Sequence, residues 1–468
     1  MDMKFFKLSL IAATMALMAC SSTNVDINSQ VQIPAQFEQT NQATGKAEIA
    51  RWWQNWNDPQ LAHLIEKGLQ QNFDVAIAKV RLAEAMAGTD YANANKGINV
   101  AAQANIGGTR SNIENPITGN SNTFSRYTQF GAITTSWEAD FFGKKQADED
   151  AAKVTELAVQ DQVYAAQMLV ASQIAESYFN IFAIKQHSAV LKQSEKILSQ
   201  LKNYVQGRFN AGQANANDVL EVESRITTIQ AQQSTLTSQI ATNERAIAVL
   251  TGQSPQGFHI QTSGYYPLNN LPAAPVGVLP SKVLNQRPDL RTYANQVQSQ
   301  AAKLASAKAD LYPRFDIQFL GGTGRIDLNT DIAELKGWGG LLSAGLSVPI
   351  FTNGRIQANI DAADARLKAA LLQYDKGILQ ALADVDNSYQ AQYALNRQTQ
   401  LIRIASKQAQ KHANQAEKLF KYGEKNLDNV LTAQLTALDT QRQIVDAQLK
   451  QAQNLVGLYK ALGGGWQK

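Results

Sequence analysis

This 468-residue chain has one cysteine, four histidines and 11 prolines, and each scarcity removes a class of chemistry. A lone thiol cannot close an internal disulfide. With His63, His187, His259 and His412 scattered along the chain, no Cys/His spacing suits a metal site. Charge is sparse too: 43 basic residues against 39 acidic ones give +4, unclustered, with little footing for nucleic-acid binding. There is no phosphate-binding glycine loop and no serine in a strained strand-to-helix turn, so no enzyme chemistry is visible. Gly463-Gly464-Gly465 ends a helical pattern instead of opening one, which makes it a helix stop and a tight chain exit. No proline falls between Pro116 and Pro255, and none follows Pro349, leaving two long Ala/Gln-rich tracts free to be helical.

What fills those tracts is periodic. From Gly354 to Gly423 the apolar residues fall at Ile356, Ile360, Ala363, Leu367, Leu371, Tyr374, Ile378, Leu382, Val385 and Tyr389. The repeated steps of 4, 3 and 4 make an eleven-residue period near 3.67 per turn, which favours nearly straight or slightly right-handed packing. At 1.5 Å per residue such a helix spans about 100 Å. A rod of that length cannot enclose a core of its own and must lie beside similar rods.

The single cysteine has a place in the N-terminus. Lys4 and Lys7 precede an apolar run from Leu8 to Leu17, and Leu17-Met18-Ala19-Cys20 follows. The pattern reads as a secretory signal, too short to span a membrane. The cysteine stands either where a bacterial lipoprotein signal requires it or there by chance in an ordinary signal. As the only cysteine, otherwise unpaired, it favours the lipoprotein reading. Residues 1–19 are therefore expected to be cleaved. Cys20 would then carry thioether-linked diacylglycerol and an acylated amine, an anchor of several chains. Ser21 and Ser22 follow, so no aspartate marks retention at the inner membrane.

Residues 20–57 read as a polar, lipidated tether, ending in Trp52, Trp53 and Trp56 packed against a helix entry at Asp58-Pro59. Two repeats then follow. The first, 58–253, has helices over 58–96, strands at 98–110 and 126–138, and a long helical hairpin over 144–250. A Pro/Gly-rich linker occupies 254–280. The second, 281–468, has strands at 314–323 and 340–349 and a hairpin over 355–462. Alternation gives the strands: Ile98, Val100, Ala102, Ala104 and Ile106 on one face, Phe315, Ile317 and Phe319 in another strand, and Leu342, Ala344 and Leu346 in a third. A shift of 211 maps Gly143 to Gly354, Tyr178 to Tyr389, Phe209 to Phe420, Gly212 to Gly423 and Leu220 to Leu431. A shift of 215 maps Asp74 to Asp289, the difference falling where insertions are easiest.

Two strands per repeat are long enough to cross an outer membrane when tilted. Four strands cannot close on themselves, and open edges do not survive in lipid. Closure therefore needs several copies, and the helices must all continue from one side of the membrane. The expected object is a membrane pore extended by a helical tube.

At this point the residues resemble a known family. Trp137-Glu138-Ala139-Asp140-Phe141-Phe142-Gly143-Lys144 resembles the W-E-x-D-x-F-G-[RK] signature of TolC-like outer-membrane efflux ducts. Val348-Pro349-Ile350-Phe351-Thr352-Asn353-Gly354-Arg355 looks like its paired motif. Arg287-Pro288-Asp289-Leu290, Asp58-Pro59-Gln60-Leu61 and the C-terminal Tyr459 to Trp466 also match. With the lipoprotein signal, the resemblance is to the lipoprotein (NodT-type) branch of multidrug efflux outer-membrane factors.

The resemblance implies a mainly α fold with transmembrane β: a homotrimer with a twelve-stranded β-barrel continuous with a twelve-helix periplasmic α-barrel. It further implies an efflux duct in outer-membrane lipid, closed near its periplasmic tip. A periplasmic adaptor protein coupled to an inner-membrane efflux transporter would open it. No cofactor is implied beyond the lipid on Cys20. The turns 207–217 and 422–428 look like adaptor-contacting tips, with Phe209, Gly212, Phe420 and Gly423 the matched positions. Glycine there serves either chain reversal alone or adaptor contact as well. Asp428 is the nearest match to an aspartate ring at the closed aperture, although Thr432, one turn on, is uncharged. It reads equally as a helix N-cap. The rival reading is a lipid-anchored periplasmic adaptor or coiled-coil scaffold, which would show one hairpin flanked by small β-domains.

Overall fold

The computed structural model describes residues 27–38, 43–45, 48–114, 118–261, 266–328 and 334–466. The signal segment 1–19 and Cys20 lie outside the described residues.

The elements run α1 (Pro59–Gln71), α2 (Phe73–Ala94), β1 (Asn99–Glu114), β2 (Ser121–Ala139), α3 (Lys144–Asn210), α4 (Ala216–Ser234) and α5 (Leu236–Leu250). Then come α6 (Pro280–Gln286), α7 (Pro288–Ala309), β3 (Arg314–Leu328), β4 (Glu334–Ser347), α8 (Arg355–Lys421) and α9 (Leu427–Ala461). The sequence shifts reappear as matched lengths. Helices α3 and α8 both have 67 residues, and α2 and α7 both have 22. The repeats part at one place: α9 runs unbroken for 35 residues, whereas its counterpart is split into α4 and α5 at Thr235. There the Ser234 and Thr235 hydroxyls donate to the carbonyls of Ala231 (2.7 Å) and Gln232 (3.4 Å). Such side-chain bonds compete with the helical ladder.

The chain forms two compact units. Among the described residues, one comprises 27–29, 83–158 and 293–374 and contains the sheet, in the order β1-β2-β3-β4, antiparallel throughout. Val297, Leu304 and Ala307 of α7 bury the first turns of the eleven-residue stripe, Ile356, Ile360, Ala363 and Leu367.

The strands run further than alternation indicates: β1 continues to Glu114, β2 begins at Ser121, and β3 reaches Leu328. The polar stretch after Arg110 is ladder rather than loop. Each residue from Ser111 to Glu114 has a partner between Ser121 and Phe124. Backbone pairing needs no apolar side chain, so a reading based on hydrophobic period stops short of it. At its other end β4 stops at Ser347, short of the expected 349, because Pro349 has no N–H to give a ladder.

The second unit, residues 30–82, 159–292 and 375–468, holds the largest core. Trp52, Trp53 and Trp56 are fully buried in a short 3-10 turn. Trp52 stacks on Tyr459 of α9 at 5.7 Å between centroids, and Trp56 on Phe179 of α3 at 5.6 Å. These tryptophans anchor the entry of α1, whose first turn Asp58 caps by accepting from the N–H groups of Gln60 (3.0 Å) and Leu61 (3.1 Å). The repeat-related tyrosines act alike. The Tyr178 hydroxyl donates to Asp58 Oδ2 at 2.8 Å, and the Tyr389 hydroxyl to the Pro275 carbonyl at 2.7 Å. Arg287 ties the start of α7 to the end of α9, donating from Nη2 to Asp289 (2.8 Å) and from Nη1 to Asp384 (3.2 Å) and the Ala461 carbonyl (3.3 Å).

Candidate functional site: a two-faced sheet and paired helical tips

Register converts three separate alternations into one surface. Val100, Thr135, Phe319 and Leu342 lie side by side across the four strands, as do Ala102, Ile133, Gly321 and Gly340. Trp137, Ile317 and Ala344 share another row, and Ala139, Phe315 and Leu346 the next. All these rows face one side of the sheet, and Val100, Ile133, Phe319, Leu342 and Leu346 are exposed. The opposite side carries Gln103, Asn105, Ser136, Glu138, Asp316, Gln318 and Ser343, interrupted by Phe130, Leu320 and Leu341. Water would penalise the first side, and lipid would penalise the second. Four strands leave β1 and β4 each with one unpaired edge. No described helix is long and apolar enough to cross a membrane.

The motif at the end of β2 builds the passage from strand to helix. Gly143 takes φ +72°, the left-handed turn that lets α3 depart, and Gly354 repeats it at +77° before α8. Asp140 Oδ2 accepts from the Gln146 N–H at 2.8 Å, satisfying a first-turn donor of α3. Phe142 stacks on Tyr312 at 4.8 Å, Trp137 Nε1 donates to the Lys96 carbonyl at 3.1 Å, and Lys144 reaches Asp310 at 2.5 Å. Glu149, with 5% of its side chain exposed, lies between Lys96 and Lys153 (2.6 Å). Hydrogen bonds from Lys153 and Lys96 hold the Glu149 carboxyl below its ordinary range. For Asp310, burial opposes ionisation, but hydrogen bonds from Lys144 and Arg314 outweigh it and hold the carboxyl low as well.

The tips close by the same chemistry twice. After α3, the Gly212 N–H donates to the Phe209 carbonyl (2.9 Å) and the Gln213 N–H to that of Arg208 (2.8 Å). After α8, Gly423 donates to Phe420 (3.0 Å) and Glu424 to Leu419 (2.9 Å). Both glycines are left-handed, at φ +70° and +78°, which is the Schellman arrangement. The first turn is shorter than sequence suggests, since Gly207 to Asn210 remain helical and reversal occupies only 211–215. The return helices are capped by Asn215 and Asn426, whose side chains accept from the N–H groups of Asp218 (2.9 Å) and Asn429 (3.2 Å). Asp428 is therefore not the cap. It lies exposed in the first turn of α9, where a carboxylate favours the helix dipole.

The matched phenylalanines part company. Phe209 is 40% exposed, whereas Phe420 is 4% exposed in a cluster with Leu201, Val205, Leu427 and Val430. Tyr204 meets the Phe420 ring edge-on at 5.3 Å, and the Arg208 guanidinium lies 5.6 Å from its centroid. Repetition in sequence cannot reveal this, because it depends on which helix each ring meets. Tyr422, which sequence reading passed over, is 81% exposed at the second turn. No group of three or more metal-ligating side chains occurs among the described residues.

Residues 64–253 and 279–464 match the model of the outer membrane efflux protein family, one segment in each repeat. The chain belongs to that family. A pyoverdine export outer membrane protein, OpmQ of Pseudomonas aeruginosa, is 29% identical over 100% of this chain and 98% of its own. The cation efflux system protein CusC of Escherichia coli is 25% identical over 99% of both chains. Among solved structures, the outer-membrane channel OprN superposes with a TM-score of 0.82 at 22% identity, covering 95% of this chain and all of its own. The open state of the MtrE channel of Neisseria gonorrhoeae gives 0.78 at 23%, covering 95% and 98%. This efflux protein therefore has the fold of outer-membrane channels, and its function is that of an outer-membrane efflux channel. An adaptor-like scaffold is set aside by the same matches, which take in both repeats.

Proposed function

We propose that three copies of this efflux protein assemble into a twelve-stranded barrel and a twelve-helix tunnel, a passive, non-catalytic duct. The observation that supports this best is the four-stranded sheet with one face of exposed apolar rows and two unpaired edges. Lipid requires every edge to be paired, and three such sheets close a ring. Cys20 carries the lipid that anchors the tether to the outer membrane. A periplasmic adaptor, itself coupled to an inner-membrane transporter, engages the turns at Gly212 and Gly423 through exposed Phe209 and Tyr422. Phe420 contributes there by holding the two hairpins together. Three copies of Asp428 line the aperture as an acidic ring that favours cations. Relatives named for pyoverdine export, toluene efflux and cation efflux each match most of this chain, which favours a wall that follows the pump's choice of cargo.

The test is the purified, lipidated protein in detergent and in planar bilayers. A native mass of three chains, each heavier by diacylglycerol and one acyl chain, together with ion current, is the expected result. A monodisperse single copy that passes no current would end the proposal.

A further inference from the structure

The side of the sheet turned away from the lipid-facing rows is not polar throughout. Near the helices it carries Ser136, Glu138, Asp316, Gln318 and Ser343, but further along the strands it becomes apolar over several successive rows. Register sets Leu320 beside Leu341, Gly322 beside Gly339, and Phe130 beside Gly324 and Gly337, with Ile326 beyond. Phe130, Leu320, Ile326 and Leu341 are 40–60% exposed there. Large apolar side chains left open together on an otherwise polar surface mark a place of contact.

These residues surround a trough of about 720 Å³, within the size of small-molecule sites. Its depth comes from glycine. A Cβ added at Gly322 or Gly324 would lie 3.3 or 3.4 Å from the Phe130 ring, which leans over β3. At Gly337 and Gly339 an added Cβ would meet nothing within 4 Å, so the floor is bare β4 backbone. Gln129, Thr323, Lys336 and Gly340 also border the trough, but strand alternation places their side chains with Trp338 on the other side. Thr128, the polar side chain bordering it from this side, donates to the Gly107 carbonyl at 3.4 Å. Among the described strand residues, the nearest charges on the trough's side are Arg126, one row beyond Ile326, and Asp316, two rows below Leu320, and neither lines it.

An occupant must therefore be neutral and apolar, and flat enough to lie on two glycines against the Phe130 ring. Bilayer hydrocarbon lies on the other side of the sheet. The β1 strand of the next copy, which barrel closure brings beside β4, offers Ala101, Gln103, Asn105 and Gly107 on this side, none both large and apolar. What passes this surface in an efflux channel is cargo. We propose that the trough is a binding subsite for neutral planar aromatic solutes, one per copy, on the inner wall of the barrel. Its place on a pore wall rests on the assembly proposed above, whereas the trough itself belongs to a single copy.

The probe is 1-aminoanthracene, a neutral planar amine whose emission rises in apolar surroundings, added to the full-length lipidated protein in detergent. Saturable emission beyond that of empty micelles is expected, reaching one probe per chain; its absence would overturn the site. Neither Gly339 nor Gly340 has a positive φ, so each accepts a side chain. Gly339→Leu fills the trough and should weaken binding at least tenfold. Gly340→Leu, one residue on and facing lipid, should leave affinity unchanged. Equal affinity in wild type and Gly339→Leu would overturn the site, as would an equal loss in Gly340→Leu. Should Gly339→Leu fail to fold, Gly337→Leu fills the same space from the next residue on that side and is read in the same way. Native mass and ion current of the same preparation report on the duct separately. Conducting trimers that bind no probe would refute the trough alone, whereas single copies that bind it without passing current would refute its place on a pore wall.

Discussion

At the scale of single residues, the glycines divide by what a side chain would meet. Around Gly423 nothing lies within 4 Å of an added Cβ, so the obstacle is its φ of +78° alone. Gly423→Ala is expected to cost about 1–2 kcal/mol, read as faster amide exchange confined to the tip. At Gly464 an added Cβ would lie 2.2 Å from the Ile49 carbonyl oxygen, where backbone must move. Gly464→Ala should therefore lower the yield of folded protein. The two asparagine caps allow a cleaner separation. Asn426→Ala removes the acceptor for the Asn429 N–H and should destabilise the start of α9 by about 1 kcal/mol. Asp428→Ala leaves that cap intact, so hydrogen exchange there should hardly change. If three Asp428 carboxylates form the proposed ring, single-channel recordings will show reduced cation preference or raised conductance. Unchanged selectivity and conductance would remove Asp428 from the aperture.

At the scale of elements, the strand-to-helix junction carries a pH dependence whose sign is fixed. Glu149 and Asp310 both have folded-state pKa values below their ordinary 4.5 and 3.8. Their contribution to stability is present above those ordinary values and is lost as pH falls through the lower, folded ones. Melting temperature should drop between about pH 5 and the folded pKa values. Lys144→Met should make that drop shallower, because Asp310 loses one of the two partners that lower it. The return helix makes a second prediction: with Ser234 and Thr235 both replaced by alanine, the competing hydroxyls are gone. Amide protection around Gln239, whose N–H already bonds the Thr235 carbonyl at 3.1 Å, should rise.

These elements also show what a sequence discloses. The long helices were legible because an eleven-residue period and paired glycines at a shift of 211 mark both ends. Strand ends were not, since ladder pairing continues through Ser111 to Glu114 without any hydrophobic period. Whether Asp428 caps α9 stays open in sequence, because Asn426 and Asp428 are both good cap residues and only the backbone, which makes Asn426 the cap, decides between them.

At the scale of the whole molecule the decisive quantity is the number of unpaired strand edges. A four-stranded sheet has two, on β1 and β4, and each exposes a row of N–H and C=O groups. Each unmatched group costs several kcal/mol in hydrocarbon, so a lone sheet with exposed Val100, Phe319 and Leu342 on one face cannot rest in a bilayer. Pairing β4 of one copy with β1 of the next removes both edges of every copy at once, and three copies suffice. Cysteine placed at Ala101 in β1 and, one position at a time, from Leu341 to Ser347 in β4 tests this directly. Both run along edges, and the only native cysteine, Cys20, is proposed to be thioether-linked and so silent. Mild oxidation in membranes should give covalent dimers and trimers at positions on one face of β4 and fail at those between, because facing residues in a ladder alternate sides. If every position from Leu341 to Ser347 stays monomeric on a denaturing gel, β1 and β4 do not meet, and closure by three copies is wrong.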